Sequence, residues 1–188
     1  MNRFSFLTLI AITVYASPPA SAGQLDLMKS GKLQCYSPNV ETRTCAALAG
    51  YTFPGNSVTN QAWVLLSPNP IIVMSTSSPV TFSGETICGP LRHADIESAT
   101  FTINGQSVAP DVAGKLRAQM LQAMAPRLEK QICTTYAPSG NGYVTQITVD
   151  GVADASDSSS VSVVGPKDGY VVGPTTGPTP TSPDRDRR

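Results

Sequence analysis

From residue 32 onward, apolar side chains recur mainly every second residue or in short continuous runs, the periodicity of strands. Gln24–Ser30 reads as a short helix that Gly31 ends in the C′ role, and Lys32–Tyr36 as the first strand. Ser37-Pro38-Asn39 is turn chemistry, and the end of the alanine-rich run Thr44–Phe53, Ala49–Phe53, reads as strand. Ala62–Leu66 and Ile71–Ser75 flank Ser67-Pro68-Asn69-Pro70 and predict a hairpin. Both runs are nearly continuous in apolar residues, which implies burial on two faces. Val80–Phe82 and Thr86–Cys88 read as short strands split by Ser83-Gly84, and His93–Ser98 as a single helical turn. Ala99–Ile103 and Gln106–Val108 flank Asn104-Gly105, a pair that tolerates positive φ and signals a tight hairpin. Gln131–Ala137 and Tyr143–Val149 form another hairpin. Ile132, Thr134 and Tyr136 then share a face, and Cys133 points to the opposite one. Ala153–Ser160 is small and polar and reads as loop. Val161–Val164 and Tyr170–Val172 read as a last pair of strands.

One segment carries a helical period. Pro110 suits the first helical position and Asp111 the first turn. Val112, Leu116, Met120, Met124 and Leu128 recur every fourth residue, with Ala113, Leu121 and Ala125 beside them and Lys115, Gln119 and Gln122 off the stripe. Pro126 disfavours helix at Ala125, so the regular part ends near there. The expected fold class is therefore α+β: a mainly antiparallel sheet with one principal amphipathic helix packed on it, pinned by two disulfides. A barrel-like curl of that sheet is the alternative.

The first 22 residues differ in kind. Arg3 precedes an uncharged, mostly apolar run, Phe4–Val14, too short to span a bilayer. Pro18-Pro19 follows, and Ala20-Ser21-Ala22 offers the small residues of a cleavage site. The expected organisation is a signal peptide over 1–22, one domain over 23–172 and a disordered Pro/Thr-rich tail over 173–188. No later stretch is long enough for an integral membrane segment.

Composition narrows the class further. Formal net charge is zero and charged residues make up 14% of the chain, with no basic patch, so nucleic acid is not an expected partner. Cys35, Cys45, Cys88 and Cys133 form an even set in an exported chain and read as two disulfides. Four cysteines allow three pairings. Cys35–Cys45 with Cys88–Cys133 is the favoured one, because each bridge closes its own loop. A zinc or redox site lacks its C-x-x-C, and the chain holds a single histidine, His93.

Catalytic motifs are missing. No serine sits in a G-x-S-x-G elbow or three residues before a lysine. No phosphate cradle or EF-hand loop occurs. Asp150-Gly151, Asp154 and Asp157 read as a solvated acidic loop rather than a calcium ligand set. Glu85, Asp95, Glu97, Asp111 and Glu129 are the carboxylates near ordered elements. His93, Asp95 and Glu97, together in one turn, are the candidate functional residues, without an assigned catalytic role; no metal and no cofactor is expected.

Leu33-Gln34-Cys35-Tyr36-Ser37-Pro38 with Thr44-Cys45, Ile132-Cys133-Thr134-Thr135-Tyr136 and Gly169-Tyr170-Val171-Val172 resembles small exported alphaproteobacterial proteins of unknown function. That resemblance implies a periplasmic compartment and supplies no active site. The leading expectation is a periplasmic or secreted non-catalytic module that binds an envelope protein or peptide, in the manner of an inhibitor, through exposed strand edges. The alternatives are a small-molecule carrier with an apolar cavity between the Val112–Leu128 helix and the sheet, and an envelope hydrolase using His93 or a carboxylate pair.

Overall fold

A computed structural model describes residues 23–154 and 158–175. The expected signal peptide, Asp157 and the tail beyond residue 175 lie outside the described residues. The elements run α1 (Gln24–Lys29), β1 (Leu33–Tyr36), β2 (Thr44–Cys45), β3 (Ala47–Thr52), β4 (Val58–Pro68), β5 (Ile71–Ser83), β6 (Thr86–Pro90), α2 (His93–Glu97), β7 (Thr100–Ile103), β8 (Gln106–Ser107), α3 (Pro110–Met124), β9 (Gln131–Ser139), β10 (Gly142–Val149), β11 (Val152–Asp154), β12 (Ser160–Val164) and β13 (Val171–Val172). A single 3₁₀ turn at Ala125–Arg127 follows α3.

The sheet is mainly antiparallel, as its pattern implies, but it is not open. Its order is β4–β3–β1–β12–β10–β9–β6–β5, and β5 pairs back to β4, so eight strands close a barrel. Closure depends on the length of β5. Its residues 71–80 pair with β4 on one edge. On the other edge, residues 72–75 pair with β7 and residues 81–83 with β6. Pro79 divides this strand in sequence, which is why Val80–Phe82 reads as a separate element. In the fold, residues 76–80 pair with neither β6 nor β7. The Pro79 carbonyl faces Gly89, so its nitrogen faces that same unpaired edge and no ladder bond is lost. Gly89 is required there: a Cβ would stand 2.8 Å from the Pro79 carbonyl oxygen.

Register settles which side chains face inward, since directly opposed residues project to the same side. One continuous set runs round the wall: Gln34 and Tyr36 oppose Ala49 and Ala47, Ala49 opposes Ala62, and Ala62 opposes Thr76. Ile87 opposes Phe82 and Thr134, Tyr136 opposes Thr145, and Val161 opposes both Tyr143 and Tyr36. Ile87, Tyr136 and Val161 form the buried heart of this interior, with Tyr36, Tyr51, Val80, Phe82 and Tyr143 packed on it.

Two clusters lie elsewhere. On the outer surface, Cys35, Cys45, Leu48 and Val164 are buried beneath Leu33, Trp63, Tyr170 and Val172. At the β4–β5 hairpin, Met74, Ala99, Phe101 and Ala113 are buried with Val64, Leu66, Val108, Leu116 and Met120. Trp63 in the first and Val64 and Leu66 in the second give the hairpin its two covered faces. Of the expected helical stripe, Ala113, Leu116 and Met120 enter this cluster, and only Ala113 is buried.

The disulfides are Cys35–Cys45 and Cys88–Cys133. Cys88 and Cys133 are register partners, on the face opposite Ile132, Thr134 and Tyr136. Two expected elements differ. Val161–Val164 and Tyr170–Val172 do not pair with each other: β12 lies between β1 and β10, and β13 pairs in parallel with β2. Ala153–Ser160 is not all loop, because β11 pairs with β10 across Asp150-Gly151, both at positive φ. That Asp-Gly is the same hairpin chemistry as Asn104-Gly105. At the start of the tail, the Gly173 N–H donates to the Cys45 carbonyl at 3.0 Å and Thr44 Oγ1 to the Pro174 carbonyl at 2.8 Å.

Candidate functional site

The barrel lumen is not filled. A cavity of about 310 Å³, partly open to solvent, runs from Tyr36, Tyr51 and Tyr136 past Ala49 and Ala62 to Val64, Pro90, Leu91 and Ile132. Its room comes from small inward residues, Ala47, Ala49, Ala62, Ser78 and Gly89, at positions where Leu or Phe would fill an eight-stranded barrel. No lining residue is an acid, a lysine, an arginine or the histidine. The polar side chains are Tyr36, Tyr51, Tyr136, Asn60, Ser78 and Thr134.

The tyrosine end is organised by a buried amide. Gln34 Oε1 accepts hydrogen bonds from Tyr51 Oη at 2.7 Å and Tyr136 Oη at 3.1 Å, with Tyr36 Oη at 3.4 Å. The hydroxyls of Tyr36 and Tyr136 bond to each other. Gln34 Nε2 donates to Gln24 Oε1 at 2.9 Å. Gln24 and Met28, both fully buried, thereby seat α1 against this end of the barrel. Asn60 Nδ2 donates to the Gly50 carbonyl at 3.2 Å. Burial raises the pKa of all three phenols well above the ordinary value. Coulombic interaction with a neighbouring tyrosine raises each further, so they stay neutral.

The residues singled out from sequence lie away from this lumen. His93 and Glu97 are exposed on α2, with His93 Nδ1 3.4 Å from Glu97 Oε1. The His93 backbone N–H donates to Glu129 Oε1 at 2.8 Å. Asp95 is buried, but Arg92 Nε reaches both of its carboxylate oxygens at 3.1 Å, and its backbone carbonyl accepts from Thr76 Oγ1 at 3.0 Å. It anchors α2 to β5. Glu85, Asp111 and Glu129 do not line the cavity either. Asp150 Oδ1 accepts the Gln131 N–H at 2.9 Å, and Asp154 pairs with Arg127 at 2.6 Å. Both therefore have local roles in the fold. No α3 residue lines the lumen; Val112 of α3 instead lines a separate, open depression with Ile103 and Val108.

Gln34, Tyr36, Tyr51, Asn60 and Tyr136 carry the site, and sequence reading passes over them. A faint signal exists in Ala47-x-Ala49-x-Tyr51, where small residues hold the inward positions of a strand. Tyr36 and Tyr136 are 100 residues apart, and it is the pairing of β1 through β12 and β10 to β9 that brings them together.

The site and fold define a closed antiparallel barrel with a neutral, tyrosine-ended lumen. Compared with family models, curated proteins and solved structures, the chain matches none. Among the described residues, no helix is long and apolar enough to cross a membrane, which says nothing of strands.

Proposed function

We propose that this protein is a carrier for a small, largely apolar molecule held in the barrel lumen, and that it works in the periplasm or outside the cell. One observation carries the reading: a cavity of about 310 Å³ inside a closed wall, lined by apolar and neutral groups. Binding pockets for small molecules have this character and begin at about this size. The two disulfides support an oxidising compartment, as do the expected signal peptide and the resemblance to exported alphaproteobacterial proteins. An environment-sensitive apolar dye should bind the purified domain with micromolar or better affinity, and Ala62→Phe should abolish binding while near-UV circular dichroism is retained. A wild-type protein that takes up no dye, and carries no small molecule when isolated under native conditions, refutes the carrier.

A partner-binding role is the second reading. Closure leaves few strand edges for it, chiefly the short β8 and β11. Its support is instead a surface patch at the β2–β13 clip, where Val40 and Val171 are 71% and 58% exposed, beside Arg43, Lys167 and Tyr170. In-cell cross-linking should capture an envelope protein with the native chain but not with Val40→Ser/Val171→Ser. Equal capture by both removes this surface from consideration.

A further inference from the structure

Resting on the lumen as the ligand site, we infer that its ligand is uncharged and places a single hydrogen-bond donor, a hydroxyl or an N–H, against the tyrosine end. The size follows from the volume. A cavity of about 150 Å³ accommodates benzene, so about 310 Å³ suits two fused rings or a short branched chain. The orientation follows from Gln34, which is tied to α1 through Gln24 and gathers the hydroxyls of Tyr36, Tyr51 and Tyr136 at one end of the lining. The apolar body then lies along Ala62, Val64 and Ile132 toward Leu91.

The preference for a donor follows from counting protons. Tyr51 and Tyr136 spend their hydroxyl protons on Gln34 Oε1, and the Tyr36 hydroxyl is shared with Tyr136. Gln34 Nε2 is engaged with Gln24, and Asn60 Nδ2 with Gly50. The three phenols, their protons spent within the network, are left with lone pairs, while Asn60 keeps a second amide N–H and Ser78 and Thr134 bring hydroxyls elsewhere in the lining. Against the phenol oxygens a ligand hydroxyl or N–H finds an acceptor, whereas a carbonyl or ether meets only lone pairs. Charge is excluded on both sides. No cationic side chain faces a carboxylate, and the phenols, kept protonated by burial, offer no anion to an ammonium group, so either ion is buried unpaired.

The test is displacement of the apolar dye from the full mature domain at neutral pH by naphthol, methoxynaphthalene and naphthoate, which share one skeleton. Naphthol should bind about tenfold more tightly than the ether, the value of one hydrogen bond, and naphthoate should not compete. Tyr36→Phe should bring naphthol and the ether to about equal affinity and leave the ether unchanged; Asn60→Leu is the substitute should the first variant not fold. If the dye binds Ala62→Phe as well as it binds the native protein, the lumen is not the ligand site; if the dye is lost in Ala62→Phe but none of the three displaces it, the site stands and the inferred size and donor preference fall. If naphthoate or the ether binds as well as naphthol, the lumen stands as the site and the neutral-donor inference falls.

Discussion

Gln34 is a polar side chain buried inside a barrel, and its worth lies in what it satisfies. Three tyrosine hydroxyls and Gln24 depend on it. Gln34→Leu would leave buried donors unpaired at 1–3 kcal/mol apiece, so the loss should be about 3 kcal/mol or more; urea denaturation followed by Trp63 fluorescence measures it. The phenols also set a pH limit. Their folded pKa values are raised, so this contribution is complete below the unfolded value of about 10 and is lost as pH rises above it, where the unfolded chain releases protons that the folded one retains. Denaturation midpoints should therefore fall between about pH 9 and pH 11, and fall less in Tyr136→Phe. An equal fall in both proteins would place the sensitivity in other groups. At this scale the sequence was a poor guide. Asp95 and His93 attract notice because their chemistry is versatile, yet the first is neutralised by Arg92 and the second is exposed. Glutamine, asparagine and tyrosine attract little, because only their surroundings make them a site.

At the scale of elements, pattern and structure agree where the period is local. The Asn104-Gly105 hairpin and the end of α3 before Pro126 follow from turn and helix chemistry alone. They part where an element is long or its partner distant: β5 continues through Pro79, and β13 joins β2 rather than β12. The bridges differ in expected value. Cys88–Cys133 closes a 45-residue separation and Cys35–Cys45 one of 10. The chain-entropy relation then assigns about 4 and about 3 kcal/mol. Paired Cys→Ala variants should rank in that order by denaturation, and the reverse order would locate the stabilisation in packing of the outer cluster. Where β10 meets β12, a Cβ at Gly142 would collide with the Val161 carbonyl oxygen. Gly142→Ala should therefore cost about 2 kcal/mol or more by forcing the wall apart, which thermal unfolding would register.

For the whole molecule, closure is the organising event. The ring pairs β12 with β1 and β9 with β6, contacts remote in sequence, so refolding with both disulfides intact should take milliseconds to seconds. Stopped-flow fluorescence of Trp63 reads this directly; a microsecond phase of full amplitude would contradict it. Closure also converts one face of each strand into a lumen and hides the sheet edges on which a partner-binding module would rely. What the sequence alone determined was local: strand and helix periods, hairpin turns, an even set of cysteines, and the opposition of Cys133 to Ile132 and Tyr136. These depend on residues a few positions apart and on the two-residue alternation. Only the tertiary structure decided that the sheet closes, that its alanine-bearing face becomes the inside, and that Gln34 gathers Tyr36, Tyr51 and Tyr136. Those outcomes depend on strand order and register around the whole ring, which no stretch of chain encodes by itself.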